Sequence, residues 1–142
     1  MTILVSACLL ACPCRYDGQS KPCPGIDRLR ARHTLIPFCP EIYGGLPTPR
    51  PPSERLGDRV VNDRGQDVTA AYERGAREAL RLVRLFGCGA AVLKSRSPSC
   101  GKGQIYDGSF SRALIPGNGV TAALLLENGV PVYTEDELEE LP

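Results

Sequence analysis

Residues 69–93 read TAAYERGAREALRLVRLFGCGAAVL. Tyr72, Ala76, Ala79, Leu80, Val83 and Phe86 recur at helical spacing, which predicts a helix presenting one apolar face to a core. Arg74, Arg77, Glu78, Arg81 and Arg84 fall off that stripe and read as a solvated face rather than a binding patch. Asp67–Thr69 supplies a start signal, and Gly87 or Gly89 a left-handed stop. The apolar run Ala90–Leu93 then predicts a buried strand. A helix feeding directly into a buried strand is half of a parallel α/β unit, and the flanking sequence repeats the pattern.

Upstream, Ile3–Ser6 predicts a buried strand that runs into Cys8, and Thr34–Phe38 a second that ends at Cys39. Between them, Ala11–Pro24 is broken by Pro13, Gly18, Pro22 and Pro24, and a helix opens at Pro24 or Ile26 and extends through His33. Gly44–Pro52, with two glycines and four prolines, reads as a rigid surface loop. Asp58–Val68 fits a short hairpin, Val60 and Val61 returning at Val68. Downstream, Lys94–Gly103 is polar and turn-rich and carries Cys100; Ile105–Leu114 reads equally as a hairpin or an irregular excursion. Val120–Glu127 predicts a helix, Val130–Tyr133 a strand and Thr134–Leu141 a short acidic helix, with Thr134 and Glu137 at capping-box spacing. The alternation implies an α/β fold with one domain over residues 1–142: a mainly parallel sheet with helices on both faces, Rossmann-like and three-layered.

Size and charge narrow the functional classes. A chain of 142 residues suits one core, and a net charge of +1 gives no electrostatic case for a nucleic-acid or membrane partner. No apolar run approaches a membrane span, and Met1–Leu10 makes a poor secretion signal, so a cytoplasmic location is expected. Seven cysteines then need a reason, because an odd number cannot all pair within one chain and reducing compartments disfavour disulfides. With a single histidine, His33, any metal site must be built largely from thiolates, which favours zinc or iron–sulfur. The spacings match neither a C-x-x-C zinc hook nor a common ferredoxin run.

Topology sorts the cysteines better than spacing does. Ligands of open parallel sheets bind beyond the carboxyl ends of the strands. Cys8 and Cys39 stand at two such ends and Cys100 a short loop beyond a third, so these three are expected to converge. Cys12 and Cys14 crowd the first loop as alternatives to Cys8, which ranks first because a strand end holds a ligand more rigidly than a loop. Of the remaining two, Cys88, at the end of an amphipathic helix, reads equally well as a small buried hydrophobe, and Cys23 is assigned no role.

Ordered along the chain stand Val5-Ser6-Ala7-Cys8-Leu9-Leu10, Cys14-Arg15-Tyr16-Asp17-Gly18, Cys39-Pro40-Glu41, Gly44-Gly45-Leu46 and Gly65-Gln66-Asp67-Val68-Thr69. Leu93-Lys94-Ser95-Arg96-Ser97-Pro98-Ser99-Cys100-Gly101 and Ile105-Tyr106-Asp107-Gly108-Ser109-Phe110 follow. This series resembles the 2-thiouracil desulfidase family over nearly the whole chain, departing from its pattern at Ala11, where glycine is usual. The resemblance implies a [4Fe–4S] cluster held by Cys8, Cys39 and Cys100 with one iron not ligated by protein. It also implies removal of sulfur from a thiolated pyrimidine such as 2-thiouracil, giving uracil and hydrogen sulfide.

Such a hydrolysis needs a carboxylate to move protons, a contribution of about 10²–10⁴-fold. Asp17 and Glu41 are the candidates because each lies within three residues of a cysteine of the set or of its neighbour Cys14, and Ser97 is placed to hydrogen-bond the pyrimidine edge. Each has a plainer reading: Asp17-Gly18 is an ordinary turn dipeptide, and Glu41 could simply pair with Arg50 or Arg15. Two other functions compete, a non-enzymatic zinc or iron–sulfur module and an enzyme acting on thiolated RNA such as tRNA. Structural zinc is normally closed by four protein ligands, which argues against the first.

Overall fold

Strand β1 (Thr2–Ser6) alternates its side chains between two buried layers, Leu4 facing one and Ile3 and Val5 the other. A strand covered on both faces belongs to the interior of a parallel sheet, and β1 occupies such a position. The computed structural model describes residues 1–142. In it, β1 pairs in parallel with β2 (Thr34–Phe38) on one side and β5 (Ala90–Leu93) on the other. Strand β8 (Val132–Thr134) extends the sheet beyond β5, giving the order β2-β1-β5-β8.

Helices α3 (Thr69–Phe86) and α4 (Val120–Glu127) cover the Leu4 face, where Ala79, Val83, Ala122 and Leu125 meet Phe38, Leu93 and Val132. The opposite layer is thinner, made by α1 (Ile26–Arg30) and the first loop, with Ile26, Leu29 and Leu9 packed on Ile3, Val5 and Val92. The expected three-layer arrangement is therefore present. Its parallel connections leave β1 in opposite directions, towards β2 and towards β5, so the crevice between their carboxyl ends is the place for a ligand.

Several details differ from the sequence reading. The first helix stops at Arg30 instead of reaching His33, and the C-terminal acidic segment forms only a 3-10 turn over Leu138–Glu140. Half of the anticipated capping box forms, the Thr134 amide donating to Glu137 Oε1 at 3.0 Å. β4 (Arg59–Asn62) pairs fully with the preceding β3 (Ser53–Leu56), and the expected return is present in reduced form, the Val68 amide donating to the Val60 carbonyl at 2.9 Å. Polar Ser-Glu-Arg-Leu carries no strand-like apolar run, so β3 escaped notice, while the expected partner segment retains a single bridge, Val61 with Asp67. Ile105–Leu114 lies within a true hairpin, β6 (Gln104–Tyr106) with β7 (Leu114–Pro116). Phe86, expected in the core, is 53% exposed because the chain reverses at Gly87, in the left-handed region at φ 63°, before anything covers it.

The element most important to the site also lay hidden: α2 (Pro40–Tyr43), a single turn begun by proline. It packs almost backbone to backbone on α3. A Cβ at Gly75 would lie 1.9 Å from the Pro40 carbonyl oxygen, and one at Gly44 2.1 Å from that of Ala71. Helix propensity favours alanine over glycine by roughly 0.5–1 kcal/mol, but this contact dominates. Gly75→Ala is expected to destabilise the fold by about 1–3 kcal/mol, the usual range for overpacking, measured by urea unfolding. A neutral or stabilising result would show that α2 is free to retreat.

Candidate active site

Three strand ends supply the sulfur side of one cavity. β1 passes into a 3-10 turn, Ala7–Leu10, that carries Cys8; Ala11 closes it at φ 67°, a conformation glycine adopts more readily. β2 ends at Cys39, the N-cap of α2, and Cys100 stands in the loop after β5, 4% exposed. Cys8, Cys39 and Cys100 all line the same cavity of about 670 Å³, together with Cys14. Cys12, Cys23 and Cys88 do not; Cys23 and Cys88 pack against the two apolar layers.

Burial and mutual contact govern these thiols. The Cys14 thiol lies beside those of Cys39 and Cys8. Cys39 draws its pKa down, but Cys8 and burial prevail and push it up to about 11. Cys39, which also donates to the Cys14 carbonyl at 3.8 Å, is raised by its bond to Cys14 and by burial. Burial raises Cys100 to about 12, although the Ser6 and Ser99 hydroxyls donate to its sulfur at 3.5 and 3.6 Å. In the metal-free protein these thiols keep their protons at neutral pH, so loading a metal must displace them. No three His, Cys, Asp or Glu side chains gather at single-ion spacing.

A polar relay adjoins the Cys100 sulfur. Arg50 donates through Nε to Glu41 Oε1 at 2.9 Å, and the Ser99 hydroxyl donates to Glu41 Oε2 at 2.9 Å. Ser97 Oγ lies 2.9 Å from Ser99 Oγ and accepts the amides of Ser99 and Cys100, at 3.1 and 3.0 Å. Burial opposes the charge of Arg50, but Glu41 outweighs it and holds the guanidinium above its usual pKa. Tyr72, raised by burial and by Glu41, closes the floor. The plain pairing of Glu41 with Arg50 is thus real, yet it occupies only one carboxylate oxygen.

A family model described as 2-thiouracil desulfurase matches residues 3–137. The chain belongs to the 2-thiouracil desulfurase family. It is 40% identical to protein YbbK of Bacillus subtilis (strain 168) over 149 residues, covering 98% of this chain and 99% of that protein. The solved structure of the [4Fe-4S]-dependent thiouracil desulfidase TudS matches with a TM-score of 0.94 and 52% identity, covering 99% of this chain and 94% of that one.

Within this desulfurase fold the anticipated acid–base pair divides. Glu41 and Ser97 line the cavity; Asp17 does not. Asp17 is exposed on the first loop, where its Oδ1 accepts the Gln19 amide in an ordinary turn. Adjacency to Cys14 misled because the chain bends away after Tyr16. Ser99 was missed, although it lies inside the quoted Ser97–Cys100 motif; nothing in the sequence separates the two serines. Arg50 was noticed only as a partner for Glu41.

The loop after β5 is fastened from the far edge of the sheet. Glu135 accepts the Ser95 amide at 2.8 Å and the Lys94 ammonium at 2.6 Å. Burial acts to raise its carboxyl, but Lys94 and the Ser95 amide prevail and hold it below the ordinary value of 4.5. A depressed folded-state pKa stabilises above the unfolded value and loses that stability as pH falls through the folded one. Glu135→Gln should therefore lower stability by about 1.5–3 kcal/mol at neutral pH, and the gap to wild type should close as pH drops below 4.5. Urea midpoints for both proteins across that range check this, and a gap independent of pH would refute the assignment.

Proposed function

We propose that this chain is a desulfidase in which Cys8, Cys39 and Cys100 hold a [4Fe–4S] cluster, one iron of which takes no protein ligand. It removes the sulfur of a thiolated pyrimidine such as 2-thiouracil, with water as co-substrate and uracil and hydrogen sulfide as products. The observation that carries this reading is the cavity itself, lined both by cysteines from three strand ends and by the Glu41–Ser99–Ser97 relay. The likeness to TudS, whose name states [4Fe-4S] dependence and thiouracil as substrate, supports it. The seven cysteines are free thiols, which agrees with a reducing, cytoplasmic setting, and no helix is long and apolar enough to cross a membrane.

When bound, the cluster supplies a soft Lewis acid suited to a thiocarbonyl sulfur. The protein supplies orientation and proton movement. Arg50 fixes Glu41 through Oε1, which leaves Oε2 directed at Ser99. Water adding to the carbon of the C–S bond gives up a proton to Glu41 Oε2, and the paired hydroxyls of Ser99 and Ser97 carry a proton back to the departing sulfur. Ser97 also grips the Ser99 and Cys100 amides, so the relay and one sulfur donor share the same loop geometry. Residues 1–142 act as one domain in this reading, because the cavity draws on segments from Ser6 to Arg112.

Anaerobic purification should yield a brown protein with about four irons and four sulfides per chain, releasing sulfide and uracil from 2-thiouracil. Stoichiometric zinc, or sulfide release from thiolated tRNA but not from the free base, would overturn the proposal. Glu41→Gln should lower kcat by about 10²–10⁴-fold with the cluster absorbance unchanged. Asp17→Asn should stay within about twofold of wild type, since its removal from the cavity leaves it no proton to move. Stopped turnover in the Asp17 variant would restore that residue to the mechanism.

A further inference from the structure

The hairpin β6–β7 reaches beyond the sheet, and its tip overhangs the cavity. Phe110 and Arg112 at that tip line the cavity wall. Both residues are held in the left-handed region, at φ 57° and 63°, where non-glycine residues are uncommon. Strain of this kind persists only where the surroundings impose it, and it gathers at sites that must place a side chain.

Glu54 imposes it. This residue of β3 is 9% exposed, and its Oε1 accepts the amides of Gly108 at 3.0 Å and Phe110 at 3.1 Å. None of the ion pairs in the protein includes it. A buried carboxylate without a cation is expensive to maintain, and here its hydrogen-bonded partners are the two amides that set the tip. Asp107 tightens the same turn by accepting the Ser109 amide at 2.9 Å, and Gly108 rests against Leu56 and the Arg55 carbonyl. The result leaves the Phe110 side chain on a cavity wall and 37% exposed.

We propose that Phe110, placed by the grip of Glu54 on its loop, stacks on the substrate ring and makes the cavity selective for flat, unsaturated pyrimidines. The inference rests on the desulfidase reading and adds its specificity element. A hydrogen-bonding edge alone cannot distinguish a flat pyrimidine from its 5,6-dihydro form, because the polar edge is the same; an aromatic platform can, because only the flat ring offers a full π face. Phe110 touches the ligand, whereas Glu54 is a positioning residue that acts through it.

The test titrates the anaerobically purified holoenzyme with uracil and with 5,6-dihydrouracil by calorimetry, and compares KM for 2-thiouracil with KM for 5,6-dihydro-2-thiouracil. Wild type should favour the flat ring by about tenfold or more, in line with the roughly 5- to 150-fold that one base–aromatic stack contributes. Phe110→Ala should erase most of that preference by weakening the flat ligand, with kcat changed far less than KM, while Phe110→Tyr keeps it. Glu54→Ala should erase it too, with faster amide exchange at Gly108 and Phe110, and should add less than about twofold in the Phe110→Ala background. Glu54→Gln, which retains an acceptor oxygen, should restore most of the preference. Equal or unmeasurable binding of the two pyrimidines by wild type, or an undiminished preference in Phe110→Ala, overturns the proposal. Should Glu54→Ala fail to fold, Phe110→Ala and Glu54→Gln decide the matter. A holoenzyme that binds uracil selectively but releases no sulfide would count against the desulfidase reading and leave ring recognition standing.

Discussion

The guanidinium of Arg50, a residue 8% exposed, joins three stretches of chain. It donates to Glu41 on α2, to the Cys14 carbonyl in the first loop at 2.8 Å, and to Pro47 and Thr48 in its own loop. Burying a cation costs several kcal/mol unless partners satisfy it fully, and the acceptors arranged here do so. The dependence runs both ways. Without Arg50, Glu41 would lose its orientation and the first loop its anchor; without Glu41, a buried guanidinium would face only neutral carbonyl and hydroxyl oxygens. Arg50 therefore ties the first loop, which carries Cys14, to the carboxylate of the acid–base relay.

The sulfur wall brings its own constraint. Thiols raised by burial bind metal only by surrendering protons, so filling the cavity exchanges an arrangement of neutral hydrogen-bonded thiols for one of charged ligands. Cys14 lies beside Cys8 and Cys39, and its carbonyl accepts from the Arg50 guanidinium. The first loop thus brings a further sulfur to the cavity and anchors Arg50.

Part of this was legible in the sequence because part of it follows from periodicity. Ile3–Ser6, Thr34–Phe38 and Ala90–Leu93 announce buried strands, and a parallel sheet brings their carboxyl ends together, so the convergence of Cys8, Cys39 and Cys100 on one cavity could be anticipated. What escaped has the opposite character. Strand β3 is polar and pairs only in a hairpin; α2 is one turn long; both are defined by what packs on them rather than by a pattern of their own. Gly75 marks the place of α2, but as an unremarked glycine inside a strong helical pattern. Asp17 shows the converse error. Proximity along the chain to a cysteine implied proximity in space, and a single turn after Tyr16 was enough to break that link.

The two kinds of element also divide the labour of the cavity. Its cysteines are set at or just beyond the ends of three sheet strands, of which β1 and β5 are enclosed in the core while β2 is the edge strand. Phe110, Arg112, Tyr106 and Glu54 sit on two hairpins outside the sheet, held by hydrogen bonds to loop amides instead of by apolar layers. Stability of that kind is local, and it is cheaper to alter. A fold arranged in this way can keep its cysteine-bearing strand ends fixed while the two hairpins vary, because neither hairpin carries a cysteine. The sulfurs of the cavity and its hairpin-borne wall are then separable parts of one site.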